Sequence, residues 1–314
     1  MRIKRNTYST LERGLSLYNE PNQEVKIGAV DYRCYPDMKE AYDNFSALTG
    51  YPQGTFILGN GAENVIKNVL LAVKPKILFS TVPGWGMIEV YSESVGFRNI
   101  PNRMYWNAGK KSLELEQVKL QNDSEWTYDY AGISNFCHYR YKDNYVPQNL
   151  ITDLSYRSIF DKEFFPVEPP RGNHIIVGSF DKEFGVGFRL GFAIFDPKWN
   201  DLMQIQREEY INPSACKLLY LLKEEYISRK YEDFAQPLVN LLNSYGIKVL
   251  SSNNNFVVIL GHYNFPFKVR RFNVNNKAFS RIGVPTTEQL YEIEFYLKNN
   301  KLERLDNESI QGME

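Results

Sequence analysis

Short apolar runs, set about a helix apart, constrain this chain more than any other feature. "TFIL" (55–58), "KILFSTV" (76–82), "DYAGISNF" (129–136), "NLITDLSY" (149–156), "HIIVGSF" (174–180) and "FRLGFAIF" (188–195) read as strands. Between them lie helical patterns. "CYPDMKEAYDNFSALTGYP" (34–52) reads as a turn and then a helix ending at Gly50. In "GTFILGNGAENVIKNVLLAV" (54–73) a glycine turn leads into a helix with Val65, Ile66, Val69, Leu70 and Val73 on one face. This alternation predicts an α/β fold with a largely parallel sheet.

After Pro197 the pattern changes. Residues 201–246 read as helical with a break near Pro213, 247–260 as two strands, and 287–300 as a last helix. The organisation expected is an N-terminal arm over 1–30, a large domain over 31–200 and a smaller α+β domain over 201–314.

The 314 residues carry 37 basic and 37 acidic side chains. A neutral balance argues against nucleic acid as partner, because binding a phosphate backbone needs a positive excess. Cys34, Cys137 and Cys216 have no paired spacing, and His138, His174 and His262 are scattered, so neither a disulfide framework nor a metal site is expected. No apolar run is long enough to span a bilayer, and "MRIKRNTYST" lacks an apolar leader core. The expectation is a cytoplasmic protein with no membrane partner.

Three constellations carry chemistry. In "LGNGAEN" (58–64) a strand, a glycine turn and a helix start form an anion site, with Gly61, Ala62 and Glu63 offering backbone N–H groups. In "TDLSY" (152–156) Asp153 ends an apolar run, where open α/β sheets place ligand contacts; a helix N-cap is the alternative. In "GSFDKEFGVGFRLGFAIF" (178–195) Lys182 follows a strand, and Arg189 interrupts a run that otherwise reads as a buried strand. A lysine in a crevice can lose its proton and attack a carbonyl as a Schiff-base former. Ser179 and Arg189 flank it and suit a phosphate. A phosphate, a ring nitrogen held protonated and an aldehyde occur together in pyridoxal 5′-phosphate.

These stretches resemble the fold type I pyridoxal-phosphate aminotransferases of classes I and II, and within them the histidinol-phosphate aminotransferase-like members. "GSFDKEFGVGFRLGFAI" is similar to that family's Ser-(Phe/Leu)-Ser-Lys…Gly-Leu-Arg-Leu-Gly segment, and "LGNGAENVI" to its Asn-Gly-Ala-Asp-Glu turn. "VPGWGMIEVYSESVG" resembles Pro-Thr-Tyr-Gly-Met-Tyr, and "TDLSY" resembles Asp-Glu-Ala-Tyr. "LSLYNEPN" (15–22), "CYPD" (34–37), "NNFVVIL" (254–260) and "FSRIGVPT" (279–286) resemble further family segments in the right order.

The resemblance implies roles. Lys182 would hold the cofactor and then move a proton; Asp153 would keep the pyridinium nitrogen cationic; Tyr156 would hydrogen-bond the ring hydroxyl; Trp85 would stack on the ring. Gly61, Ala62, Glu63, Ser179 and Arg189 would cup the phosphate, with Tyr35 donated by a second subunit of a homodimer. Arg281 would clamp the substrate carboxylate, with Asn255 beside it. The family's Asn-Pro-x-Asn-Pro-Thr-Gly loop is absent; "SNFCHYRYKDN" (134–144) stands there, with His138 at the asparagine position and Asn135 as the alternative. Leu154, Gly283 and Pro285 are further departures. The function implied is an aminotransferase acting on an amino acid or phosphorylated amine and a keto acid. A decarboxylase of a phosphorylated amino acid and a non-catalytic binding protein on the same fold are the alternatives.

Overall fold

The computed structural model describes residues 28–109, 112–115, 118–130, 147–162, 164–184, 187–207, 209–225, 231–250, 256–265, 267, 269–300 and 302–305. Most of the expected arm lies outside these residues, as do Asn135, His138 and Asn255.

Eight strands form one sheet: β1 (Phe56–Asn60), β2 (Ile77–Val82), β3 (Arg98–Asn107), β4 (Ser112–Leu115), β5 (Glu125–Tyr130), β6 (Asn149–Asp153), β7 (Asn173–Ser179) and β8 (Leu190–Phe195). Their spatial order is β1-β8-β7-β6-β5-β2-β3-β4. The pairings β2–β3, β2–β5, β5–β6 and β6–β7 are parallel, whereas β1–β8, β7–β8 and β3–β4 are antiparallel. The sheet is therefore mixed, with four of its seven pairings parallel. Residues 180–189 alone join β7 to β8. That is enough for a return but too short for the crossover a parallel neighbour needs.

The reversal has a consequence for position. β1 is antiparallel to β8, and β8 to β7, so β1 points the same way as β6 and β7. Their carboxyl ends reach one edge and bring Gly61, Asp153 and Ser179 together there.

Helix α1 (Met38–Thr49) begins at Asp37, whose side chain accepts the Glu40 N–H at 3.0 Å, and ends at Gly50, where φ is 84°. Glycine adopts that left-handed turn without the steric cost a Cβ would bring. Helix α2 (Gly61–Val73) buries Val65, Ile66, Val69 and Leu70 of the expected face, against Ile57, Leu78, Ile151, Val177 and Ala193. On the other side of the sheet, Phe45 lies 4.5 Å from Phe56 and 5.4 Å from Phe192 between ring centroids. Helices α3 (Met87–Tyr91) and α4 (Asp181–Phe184) are single turns. Helix α5 (Asn200–Gln206) packs on α2, and α6 (Pro213–Glu225) packs on α1.

A second sheet has β9 (Phe256–Leu260), β10 (Arg270–Val274) and β11 (Lys277–Gly283) in the order β10-β11-β9, all antiparallel. Val249, expected in a strand of its own, makes a single bridge to Ile259. Alternation divides the faces. Val257, Ile259 and Ile282 pack with Leu238 of α7 (Tyr231–Ser244) and Ile293 of α8 (Thr287–Asn299). Phe256, Val258 and Phe279 join the core of the large sheet. Among the described residues no helix is long and apolar enough to cross a membrane.

Candidate active site

Ala62, Glu63, Trp85, Asp153, Tyr156, Ser179, Lys182 and Arg189 line one cleft of about 140 Å³ at the carboxyl edge of the sheet. Five separate stretches of sequence meet there.

Asp153 ends β6 and is 2% exposed. Its Oδ2 accepts the Tyr128 hydroxyl at 2.5 Å, and its Oδ1 accepts the Ser155 N–H at 2.9 Å and the Ser155 hydroxyl. Burial raises its pKa, while the donors of Ser155 and Tyr128 and the charge of Lys182 pull the other way. No helix follows it: the chain turns through Leu154 and Ser155, so the N-cap alternative is not what the structure forms.

Tyr156 is the centre of an aromatic and cationic stack. Its ring meets Tyr130 at 6.1 Å and Phe256 at 5.4 Å, both edge-on. Lys182 Nζ stands 5.3 Å from the ring centre, and the Arg281 guanidinium carbon 4.8 Å. Arg281 also lies 4.7 Å over Phe256 and is 2% exposed. It therefore sits behind Tyr156, on the face of β11 turned to the large sheet, and is not a surface residue. Its cross-strand partner Arg270 donates from Nη2 to the Gly84 carbonyl at 2.7 Å, tying the second sheet to the loop that carries Trp85. Trp85 packs edge-on against Tyr91 at 5.9 Å.

Arg189 differs from its expected place. It precedes β8 instead of lying buried within it, at φ 50°, with its side chain 49% exposed. The reason is its reach. A Cβ built on Gly61 would stand 3.0 Å from the Arg189 Cζ, and one on Gly191 would fall 2.3 Å from the Gly61 carbonyl carbon. Two glycines thus let the guanidinium lie against the start of α2, where backbone N–H groups and the helix dipole favour an anion. Arg189 Nη2 is 3.9 Å from Glu63 Oε2, and Nη1 is 4.0 Å from Asp181 Oδ2.

Tyr35 is not in this cleft. It is 81% exposed, stacks on Tyr210 at 4.6 Å and lines a separate hollow with Asp37 and Lys217. Residues that sequence reasoning passed over are Tyr128, Tyr130, Ser155 and Asp181. Asp181 was legible, because "SFDK" has an acid where the resembled segment has a second serine. Tyr128 and Tyr130 carry no motif; only the parallel register of β5 on β6 brings them to Asp153.

The chain has the fold of the pyridoxal-phosphate aminotransferases of fold type I. Aspartate aminotransferase from Thermotoga maritima matches with a TM-score of 0.60 at 16% identity, over 87% of this chain and 84% of its own. Histidinol-phosphate aminotransferase from Sinorhizobium meliloti, in complex with pyridoxal-5′-phosphate, matches at 0.59 and 14%, over 85% and 82%. L-threonine-O-3-phosphate decarboxylase from Porphyromonas gingivalis matches at 0.59 and 11%, over 84% and 89%. No protein-family model and no curated protein matches the sequence.

Proposed function

We propose that the protein is a pyridoxal-phosphate-dependent aminotransferase that moves an amino group between an amino acid or phosphorylated amine and a keto acid. One observation carries this reading: Lys182, Asp153, Tyr156 and Arg189 line a single cleft beside the N-terminus of α2. The donor set fits the cofactor at three points. The Gly61–Arg189 cradle suits a phosphate, the buried Asp153 suits a protonated ring nitrogen, and the Lys182 amine suits an aldehyde. When bound, pyridoxal phosphate supplies a carbonyl carbon that amines attack and a ring that accepts an electron pair from the substrate's α-carbon.

The chain's own residues do the rest. Asp153, whose three hydrogen bonds oppose the rise that burial causes, holds a cation at the buried end. The Tyr156 ring lies against both Lys182 and Arg281 and so links the amine in the cleft to the guanidinium behind it. Lys182 Nζ carries the proton to and from the substrate's α-carbon. Arg281, stacked between two rings, holds a carboxylate in bidentate fashion. Trp85 and Tyr156 exclude water from the cleft.

The reading includes a two-fold homodimer with Tyr35 reaching the partner's cleft, supported by that ring's exposure. It also includes a small C-terminal domain and a cytoplasmic setting. His138 and Asn255 keep their proposed cofactor and substrate roles on the resemblance alone.

The test is direct. The purified protein should be yellow, borohydride should fix the cofactor on the peptide containing Lys182, and glutamate or another amino donor should shift the colour. A colourless protein with no trapped adduct would sink the proposal. The likeness to a decarboxylase favours a second reading, decarboxylation of a phosphorylated amino acid. Carbon dioxide released without any keto acid acceptor would select it.

A further inference from the structure

The cradle for the phosphate contains a group that a phosphate site does not need. Asp181 precedes Lys182, and its side chain is 6% exposed. Its Oδ1 accepts the Leu190 N–H at 3.0 Å, and its own N–H donates to Ser179 Oγ at 3.0 Å. The Arg189 guanidinium lies between Asp181 and Glu63, at 4.0 and 3.9 Å. Two carboxylates therefore share the arginine before any anion arrives.

The two carboxylates are not equivalent. Glu63 has a side chain 45% exposed and can swing into water. Asp181 is held by a backbone donor at the foot of the cleft and cannot. A phosphate seated between α2, Ser179 and Arg189 would meet a buried like charge, and two desolvated like charges do not both persist. Protonation resolves the conflict and turns the acceptor into a donor.

We infer that Asp181 is a phosphate-binding residue of this cleft that acts in its protonated form, so that each phosphate bound brings one proton in from solvent. The inference rests on the reading of the cleft given above. Burial already lifts the Asp181 carboxyl to about 6, against the pull of the Leu190 N–H, Arg189 and Lys182. The charged groups that face it are Lys182 on its own turn, Arg189 from the loop before β8, Glu63 from α2 beyond the guanidinium and Asp153 across the cleft. Of the groups that hold its proton off, the Leu190 N–H, Arg189, Lys182 and Ser179, a bound phosphate would neutralise the arginine.

The test uses the full chain freed of cofactor, titrated calorimetrically with inorganic phosphate and with pyridoxamine 5′-phosphate, which has the phosphate and ring but no aldehyde. Each titration is run in two buffers of different ionisation heat, from pH 6 to 9. Wild type should take up about one more proton per ligand than Asp181→Asn, and its affinity should fall relative to that variant by about tenfold per pH unit above the carboxyl's pKa. Asp181→Ser, which restores the hydroxyl of the resembled segment, should behave as Asp181→Asn does and serves if the amide variant does not fold. Glu63→Gln should keep the proton uptake. Binding with equal uptake and parallel pH profiles in wild type and both Asp181 variants overturns this inference alone, as does loss of the uptake in Glu63→Gln. No binding of either probe by wild type at any pH overturns the reading of the cleft and this inference with it.

Discussion

Asp129 and Asp153 make an instructive pair. They stand on neighbouring strands, both essentially buried, at 0% and 2% exposure. Register sets Asp129 beside Thr152 and Tyr130 beside Asp153, so the two carboxyls face opposite sides of the sheet. Burial raises both. Asp129 is pushed up to about 8 and is held as a neutral acid at pH 7. Asp153 has Ser155, Tyr128 and Lys182 working against its burial. Burial of an acid is thus not what marks a site. Donors converging on it, with a cation in reach, work against its burial and suit it to hold a positive group.

The largest effects should fall on the Asp153 side. Lys182→Ala removes the proposed proton carrier, and positioned proton transfer contributes about 10²–10⁴ in rate. Turnover of any amino donor should fall by at least that, and borohydride should trap nothing. On the proposed reading Asp153→Asn deletes the partner of the ring nitrogen's buried charge, a loss of about 3–5 kcal/mol, or roughly 10²–10⁴-fold in cofactor affinity. A spectroscopic titration with pyridoxal phosphate reads it directly. Asp129→Asn should leave both measurements near wild type. Equal losses at the two aspartates would break the contrast.

Asp129→Asn should act on stability instead. The folded pKa is raised from 3.8 to about 8, so the fold binds a proton that the unfolded chain gives up. The wild-type fold is therefore most favoured below pH 3.8, and this contribution is lost as pH rises toward about 8. The slope is about 1.4 kcal/mol per pH unit. Urea midpoints across that range should show the variant gaining on wild type by a few kcal/mol (on the order of several units of slope). A constant difference would mean that the carboxyl does not titrate where its burial puts it.

His174 lies on the same face as Asp129, with Nε2 3.0 Å from Thr152 Oγ1, and has the opposite sign. Burial lowers it from 6.5 to about 4. Its contribution is complete above pH 6.5 and is lost as pH falls through 4. His174→Gln should flatten that acid limb, which amounts to about 3 kcal/mol. Between these pH values the two groups act in opposite directions, so the single variants separate what wild type partly cancels.

The sequence made Asp153 legible and left Asp129 unread for a physical reason. "TDLSY" ends an apolar run and turns, whereas Asp129 in "TYDYAG" sits inside a strand whose register no local pattern reveals. The helix faces of α1 and α2 and the capping turn at Gly50 follow from neighbours in sequence and were readable. The antiparallel return of β8 was not, because Gly185 and Gly187 in the short span 180–189 mark a turn without giving the direction of the strand that follows. The apolar neighbours of Arg189 read as a buried strand, yet its backbone leaves the strand geometry to reach Gly61, a contact 128 residues away. Pairings across the cleft, such as Tyr128 with Asp153, are tertiary and carry no local mark.

Arg281 extends the contrast to the second sheet and gives the smallest effect. Its register neighbour across β9 is Val258, and its guanidinium lies over Tyr156 and Phe256 at 4.8 and 4.7 Å. Each stack contributes about 0.5–2 kcal/mol, and a lysine offers neither the plane nor the fork. Arg281→Lys should raise KM for the amino donor by roughly tenfold, the value of one lost charge-assisted bond of about 1.5 kcal/mol. The rate constant should change less, and the cofactor's absorbance should stay as in wild type, because Asp153 and Lys182 are untouched. An unchanged KM with lowered thermal stability would reassign the guanidinium. It would then be glue between Tyr156 and Phe256, and the cleft would lose its anchor for a carboxylate while keeping its cofactor end.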